Sequence, residues 1–400
     1  MKIDKLIIKS FKSILDIELE LGNLNIFIGA NGSGKSNILE ALGVLSAAAS
    51  GRVDDESLLR RGVRPGVPRL YKSAFHQMRL PPHIYFEAMA EKASYKVTLN
   101  NPLENPKPAW QFKSEHCTSK EKSITRRGPK SPGNKDQGLA ALKIAELTEN
   151  DPANVLLTSL RDYGIYTPET PILRGMVQDQ HSREPIGLSG GNIAEAVNIL
   201  FAKRFKESIL FKNEKLMDAI DEFLELVDWM QHIETSNNVS NILSSSVPRP
   251  RRVLKLYDRY MRKGKNQLTA YDVSEGALYV LFYAVLTLSS SVPKLIAIDN
   301  LDQTLNPRLV QNLVRKICKW LPQLYPSRQI LATVHNPSAL DGLPLQDDRI
   351  RLFAVDRDNE GHTNINRIII DESLVKLSKE KGWPLSRLWV MGMIGGVPDV

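Results

Sequence analysis

The 400-residue chain holds only two cysteines, Cys117 and Cys318. They stand far apart and outside any metal-ligand spacing, which excludes a disulfide framework, argues against a structural zinc site and fits a reducing compartment. Nowhere does the sequence keep about 18 apolar residues in an unbroken run, so no membrane span is expected. The opening stretch, Met1 to Ser10, alternates like a strand and lacks the apolar block of a signal peptide. A cytoplasmic protein without a membrane partner is the expectation. There is no internal repeat.

What is present in quantity is apolar residue and positive charge. A hydrophobic content of 42% over this length can bury a substantial core, and length alone allows two or three domains. The net charge of +8 is uneven. It gathers at Arg60, Arg61 and Arg64, at Arg126, Arg127 and Lys130, at Arg249, Arg251 and Arg252, and at Arg259, Arg262, Lys263 and Lys265. Such clusters suit nucleic acid or an acidic partner, and serve equally as solvated loop charge. No interleaved aromatics or DNA-binding motif accompany them.

The chain is organised around residues 24–45. Leu24, Ile26, Phe27 and Ile28 predict a short strand covered on both faces. Gly29, Ala30, Asn31, Gly32, Ser33, Gly34, Lys35 and Ser36 then satisfy G-x-x-x-x-G-K-[ST], with Asn37 opening the helix behind them. The glycines let backbone N–H groups converge on phosphate oxygens at a helix N-terminus. Lys35 supplies a point charge for the β- and γ-phosphates, and the Ser36 hydroxyl suits Mg²⁺. Ile38, Leu42 and Leu45 recur at helical spacing, so this helix packs on the sheet.

Around that motif, residues 2–11 and 14–21 predict an antiparallel strand pair, and His83–Ala90 and Tyr95–Leu99 a further meander. Residues 46–79 are expected to wind over the edge of the nucleotide, with Gln77 as a possible Mg²⁺ sensor or a merely solvated side chain. The expected organisation is residues 1–99 as the first part of a nucleotide-binding head, 100–138 as a flexible basic loop, 139–252 as a helical insert and linker, and 253–400 as the second part of the head. Within the insert, helical periodicity is clearest at Leu216–Trp229.

Two stretches complete the nucleotide site on paper. Lys294–Asp299 predicts an apolar strand ending in an acid that can hold Mg²⁺ beside Ser36. Asn300–Pro307 follows as a polar loop, and a strand at Gln329–Val334 ends at His335, where open α/β sheets place groups that contact ligands. Ser274, Glu275 and Gly276 open a nearly all-apolar helix whose N-terminus offers an anion site or an ordinary cap.

Taken together, the Leu6–Ile14 opening, the phosphate loop, the Ser274-Glu-Gly corner, Asp299 and the Thr333-Val-His-Asn-Pro stretch resemble the RecF/SMC-related ATP-binding-cassette ATPases. The branch they look most like is the OLD type (overcoming lysogenization defect). The resemblance covers roughly residues 1–99 and 253–400. It implies an α/β P-loop NTPase fold of the ABC/SMC-head type, with a mixed sheet, an antiparallel N-terminal subdomain and a mostly helical insert. It implies ATP and Mg²⁺ as cofactors, and a homodimer in which Ser274, Glu275 and Gly276 of one copy cap the nucleotide held by the other. His335 becomes the switch histidine.

Three departures qualify the resemblance. Gly187-Leu-Ser-Gly-Gly-Asn looks more like a transporter signature than the Ser274 corner does, but it lies too far before Asp299 and is read as the start of an insert helix. Asn300 stands where the family has its catalytic Glu. Asn orients water but cannot accept its proton, and a positioned base contributes about 10²- to 10⁴-fold. Slow ATP hydrolysis is therefore expected, with Asp302 as a candidate substitute. The TOPRIM nuclease fused to OLD-type chains has no room in the residues after His335. The family resemblance implies a head that controls a separately encoded nuclease or toxin in bacterial antiphage defence. A RecF-like repair ATPase that binds DNA directly is the alternative.

Overall fold

The computed structural model describes residues 2–394 apart from 77, 181–182, 211–213, 238–242, 244–250, 345 and 370–379. Gln77 and Arg249 lie outside the described residues.

Alternation builds the first sheet. In β1 (Lys5–Phe11), Leu6, Ile8 and Phe11 are buried, while Lys9 points out and meets Asp16 of β2 (Ile14–Glu20) at 2.7 Å in register. β4 (Ile84–Ala90), β5 (Ala93–Asn100), β6 (Gln111–Ser119) and β7 (Lys122–Arg127) extend it into a six-stranded antiparallel sheet, ordered β2-β1-β4-β5-β6-β7.

The last two strands correct the expectation of a flexible basic loop at 100–138. Polar composition hid them, because one inward-facing residue of β6 is a carboxylate. Glu115 is buried yet satisfied: it accepts from Leu139 N at 2.6 Å, Ala140 N at 3.0 Å and Tyr95 Oη at 3.0 Å. Bulges at Thr98/Leu99 and Cys117/Thr118 break the alternation further.

The central sheet runs β15-β14-β3-β13-β12-β8. Its strands are β3 (Leu24–Ile28), β8 (Ile165–Tyr166), β12 (Leu295–Ile298), β13 (Gln329–Val334), β14 (Ile350–Arg357) and β15 (Thr363–Ile368). All pair in parallel except the β14–β15 hairpin. β3 is buried throughout and feeds two cores at once. Leu24, Ile26 and Ile28 face one; Phe27 faces the other and stacks on Phe353, ring centroids 5.0 Å apart. Full burial of such a ring stabilises by about 1.5–3 kcal/mol.

Beneath the antiparallel sheet lie α1 (Lys35–Ala49) and, after the short helices α2 (Asp55–Leu59), α3 (Pro68–Tyr71) and α4 (Leu139–Lys143), α5 (Pro152–Arg161). Hence residues 139–166 differ from the expected insert: α4 and α5 support the first sheet, and β8 joins the central one beside β12. The helices α6 (Thr170–Leu173), α7 (Ile193–Leu210) and α8 (Glu214–Leu224) come next. β9 (Met230–Ser236) then pairs with β10 (Val253–Asp258), which pairs with β11 (Gln267–Thr269). The end of the expected helical insert and linker therefore holds strand, and most of residues 238–250 lie outside the described residues.

α9 (Glu275–Leu288) is buried from Ala277 onward, and α10 (Pro307–Leu324) buries Val310, Leu313, Val314, Ile317 and Leu321 along one stripe. Buried Arg328 anchors the far end of α9 by donating to the carbonyls of Leu286, Thr287, Ser289 and Val292. A cation at a helix C-terminus satisfies the last carbonyls and the dipole together. Among the described residues, no helix is long and apolar enough to cross a membrane.

Candidate functional site

The parallel register delivers three strand ends to one edge. β3 ends in the glycine loop, β13 ends at His335, and β12 ends at Asp299. Gly34 has φ of +109°, and a Cβ there would lie 2.1 Å from Thr363 Oγ1, so a larger residue would be strained in its backbone and would displace the Thr363 side chain. A Cβ on Gly29 would lie 2.0 Å from the Val355 carbonyl.

A hydroxyl chain fixes the back of the loop. Asn37 Nδ2 donates to Ser13 Oγ at 2.7 Å, Ser13 and Thr363 hydroxyls meet at 2.7 Å, and Thr363 Oγ1 donates to the Ser33 carbonyl at 2.9 Å. These residues come from the β1–β2 turn, α1 and β15. Ser13 and Thr363 were missed as site residues, since nothing local marks a Ser or Thr as a partner some 350 positions away.

At the front, Lys35 Nζ donates to the carbonyls of Gly29 and Ala30, each at 2.8 Å, and faces His335 Nδ1 at 3.4 Å. Burial pulls the Lys35 ammonium down to about 8 against the opposing pull of Asp299 and Asp302. Among the described residues the buried Ser33 hydroxyl, inside the same loop, has no partner. An under-solvated ammonium and an orphaned hydroxyl beside converging amides are the chemistry an oxyanion satisfies.

Ser36 Oγ donates to Asp299 Oδ1 at 3.0 Å, and Thr333 Oγ1 donates to the same oxygen at 2.6 Å. Hydroxyl and carboxylate are hard oxygen donors, so the pair fits a magnesium ion shared with phosphates. Asn300 takes the left-handed conformation, φ +56°, which Asn tolerates better than most residues. Its backbone N–H donates to Thr333 Oγ1 at 2.8 Å, and its side-chain Oδ1 lies 3.0 Å from His335 Nε2. Burial, then the Lys35 charge, lower the pKa of His335. The ring is thus neutral at pH 7; with Lys35 facing Nδ1, the network assigns the hydrogen to Nε2, donated to Asn300.

Asp302 sits behind the histidine. Its Oδ2 accepts from the backbone N–H of His335 at 2.8 Å and from that of Asn336. It therefore shapes the turn that presents the imidazole.

Beside Asn37 opens a cavity of about 510 Å³ lined by Lys12, Ser13, Arg64, Phe75 and Arg357 among others. Glu40, buried on α1, ion-pairs with both Lys12 and Arg64 and so orients two cations at its rim. Lys12, whose pKa burial lowers, also lies 5.1 Å from the Tyr71 ring centroid. These positions were not singled out from sequence as site residues.

Among the described residues, the Ser274 corner shares no hydrogen bond with this assembly. Ser274 and Glu275 are exposed at the start of α9, and the Ser274 side chain makes no cap hydrogen bond. The Gly187–Asn192 turn is closed on itself instead. Ser189 N and Gly191 N donate to Asp179 Oδ2 at 3.3 and 3.2 Å, and α7 begins at Ile193.

Comparison with known proteins gives the following. Residues 1–116 match the family described as AAA ATPase domain. Residues 229–341 match the family described as AAA domain, putative AbiEii toxin, Type IV TA system. The DNA replication and repair protein RecF of Magnetococcus marinus is 42% identical over 66 residues, 16% of this chain and 17% of that protein. RecF of Clavibacter michiganensis subsp. michiganensis is 38% identical over 89 residues, 22% of each. The chain thus aligns with about a fifth of the length of these relatives.

A crystal structure of an SMC head bound to the C-terminal winged-helix domain of ScpA superposes with a TM-score of 0.55 at 12% identity, covering 93% of this chain and all of that one. The fold is that of an SMC-type P-loop head, and the two segments that build its nucleotide edge fall largely within the two matches to AAA ATPase families.

Proposed function

We propose that the chain is a slow ATPase whose ATP-bound form is a homodimer, with each copy offering Ser274, Glu275 and Gly276 to the nucleotide in the other. The observation that carries this reading is the pairing of a complete phosphate cradle at Gly29–Asn37 with a free, exposed Ser274 hydroxyl at the tip of a buried, well-anchored helix. In one copy that helix tip has no role in the cradle's hydrogen bonding.

On this reading the loop amides and Lys35 bind the phosphates, and the cavity lined by Lys12, Arg64 and Phe75 takes the rest of the nucleotide. Ser36 and Asp299 would hold a magnesium ion, which supplies charge neutralisation at the β- and γ-phosphates. Asn300 orients the attacking water without accepting its proton. With nucleotide bound, the His335 Nε2 hydrogen turns from Asn300 Oδ1 to the γ-phosphate, which frees that oxygen for the water, and Asp302 is a positioning residue for the histidine rather than the base. Occupancy, more than turnover, then governs assembly, with higher oligomers built from the same dimer.

A separately encoded effector, a nuclease or toxin, is the partner this reading favours, in an antiphage setting. It is supported by the match of residues 229–341 to a family described as a putative AbiEii toxin of a toxin–antitoxin system. The second reading, a repair ATPase that contacts DNA through its basic loops, is supported by the short RecF similarities.

Light scattering with a non-hydrolysable ATP analogue tests the central claim. Wild type should double in mass, and exposed Ser274→Arg should stay single while binding nucleotide with unchanged affinity. A nucleotide-saturated wild type that remains single overturns it. DNA cleavage by the purified chain alone rules against the separate effector, and fast DNA-stimulated turnover favours the repair reading.

A further inference from the structure

A cavity of about 720 Å³ opens away from the phosphate loop, where Ser50 ends α1 and Arg161 ends α5, with the Arg60–Arg61 turn and Arg183 closing it. At about 1.5 Å rise per residue, the length of α1 places this end roughly 22 Å from Lys35.

Five arginines line it, Arg52, Arg60, Arg61, Arg161 and Arg183, against two carboxylates. Both acids are engaged: Asp54 pairs with Arg52 and Glu56 with Arg60. Among the described residues, Arg61, Arg161 and Arg183 have no carboxylate in ion-pair contact.

Arg61 separates this pocket from an ordinary solvated patch. It is only 7% exposed, and among the described residues its guanidinium donates solely to neutral oxygens: Ser46 Oγ and the Ser57 carbonyl, each at 2.6 Å, Ser50 Oγ, and the Arg161 carbonyl at 3.5 Å. Burial, then Arg183, Arg161 and Arg60, pull its pKa down to about 10 against a weaker opposing pull from Asp162. A buried cation among like charges is unfavourable until a counter-charge arrives. Arg183 is likewise held in place, its Nη1 donating to the Tyr163 carbonyl at 2.6 Å.

We propose that this pocket is a second anion site, taking the phosphate chain of a small polyphosphorylated ligand. Guanidinium forks match phosphate oxygens bidentately, and rigidly hydrogen-bonded ones bind with little ordering cost. The concavity and volume suit a small molecule. A nucleic-acid backbone is met by protruding side chains, whereas here the deciding cation lies at the floor. Because Arg61 bonds the last turn of α1 and its capping residue, an occupant is coupled to the helix whose first turn carries Lys35 and Ser36.

Calorimetry of the full chain with inorganic triphosphate tests the site. Wild type should show two classes of site, and Lys35→Ala should keep one. In that background, Arg161→Gln, at an exposed position, should weaken the remaining site at least tenfold with the melting temperature unchanged, and adding Arg183→Gln should weaken it further. Comparing ATP with triphosphate in Lys35→Ala separates a nucleotide ligand from a bare polyphosphate. A single site that vanishes with Lys35→Ala overturns the proposal. So does a residual site indifferent to both arginines, or one that takes a short DNA duplex and not triphosphate.

Discussion

His335 Nε2 and Asn300 Oδ1 lie 3.0 Å apart, so the imidazole gives its one hydrogen to a neutral amide oxygen at the edge of the phosphate loop. A carboxylate in the same place would accept that hydrogen more strongly, raise the histidine pKa and take a proton from water. Asn does none of these.

Asn300→Glu should therefore raise ATP turnover by at least tenfold, read as phosphate release. The left-handed backbone at position 300 should make this variant about 1 kcal/mol less stable. An unchanged rate in a folded, ATP-binding Asn300→Glu protein would show that proton acceptance does not limit the reaction.

Asp302 offers a contrast between base and brace. Asp302→Asn retains an oxygen for the His335 and Asn336 amides, and should keep turnover within a few-fold of wild type. Asp302→Ala leaves both amides unmet, at a cost of about 1–3 kcal/mol, and should lower turnover with the histidine displaced. Equal collapse of both variants in a phosphate-release assay would instead make Asp302 the base.

Lys35 carries the pH dependence. Its folded pKa of about 8 lies below its ordinary 10.5, so the nucleotide-free fold disfavours the charged form. Between those values the unfolded chain binds a proton that the folded chain does not, and stability must rise with pH. Relative to Lys35→Met, wild type should thus gain stability as pH climbs from about 8 towards 10.5. Phosphate favours the ammonium, so ATP binding should take up protons above pH 8 and weaken there, measured by calorimetry in buffers of different ionisation enthalpy.

Thr363→Val keeps the shape of β15 but removes the hydroxyl that joins Ser33 to Ser13. It should cost about 1–2 kcal/mol in chemical denaturation, because a buried carbonyl loses its donor. ATP affinity should fall several-fold while the kcat for bound ATP stays unchanged. An equal loss in kcat would place Thr363 closer to the chemistry than the geometry does.

Legibility followed locality. β3 and β13 lie where the sequence reading expects them, and α9 starts within a residue of the Ser274 corner, because apolar runs and turn residues are written contiguously. β6 and β7 were not legible. The buried Glu115 and two bulges conceal a strand pattern that makes sense only once Tyr95 and the start of α4 supply its partners.

By itself, the sequence determined that a glycine loop with Lys35 and Ser36 follows a buried strand, since that motif needs only adjacent residues and backbone freedom. Tertiary structure alone decided that Asp302 braces His335, that Glu40 orients Lys12 and Arg64, and that Ser13 and Thr363 hold the loop from behind. It also decided that arginines from three segments converge at the far end of α1. Side chains so distant in the chain acquire partners only when packing of the two sheets sets their separation, and no local pattern encodes that distance.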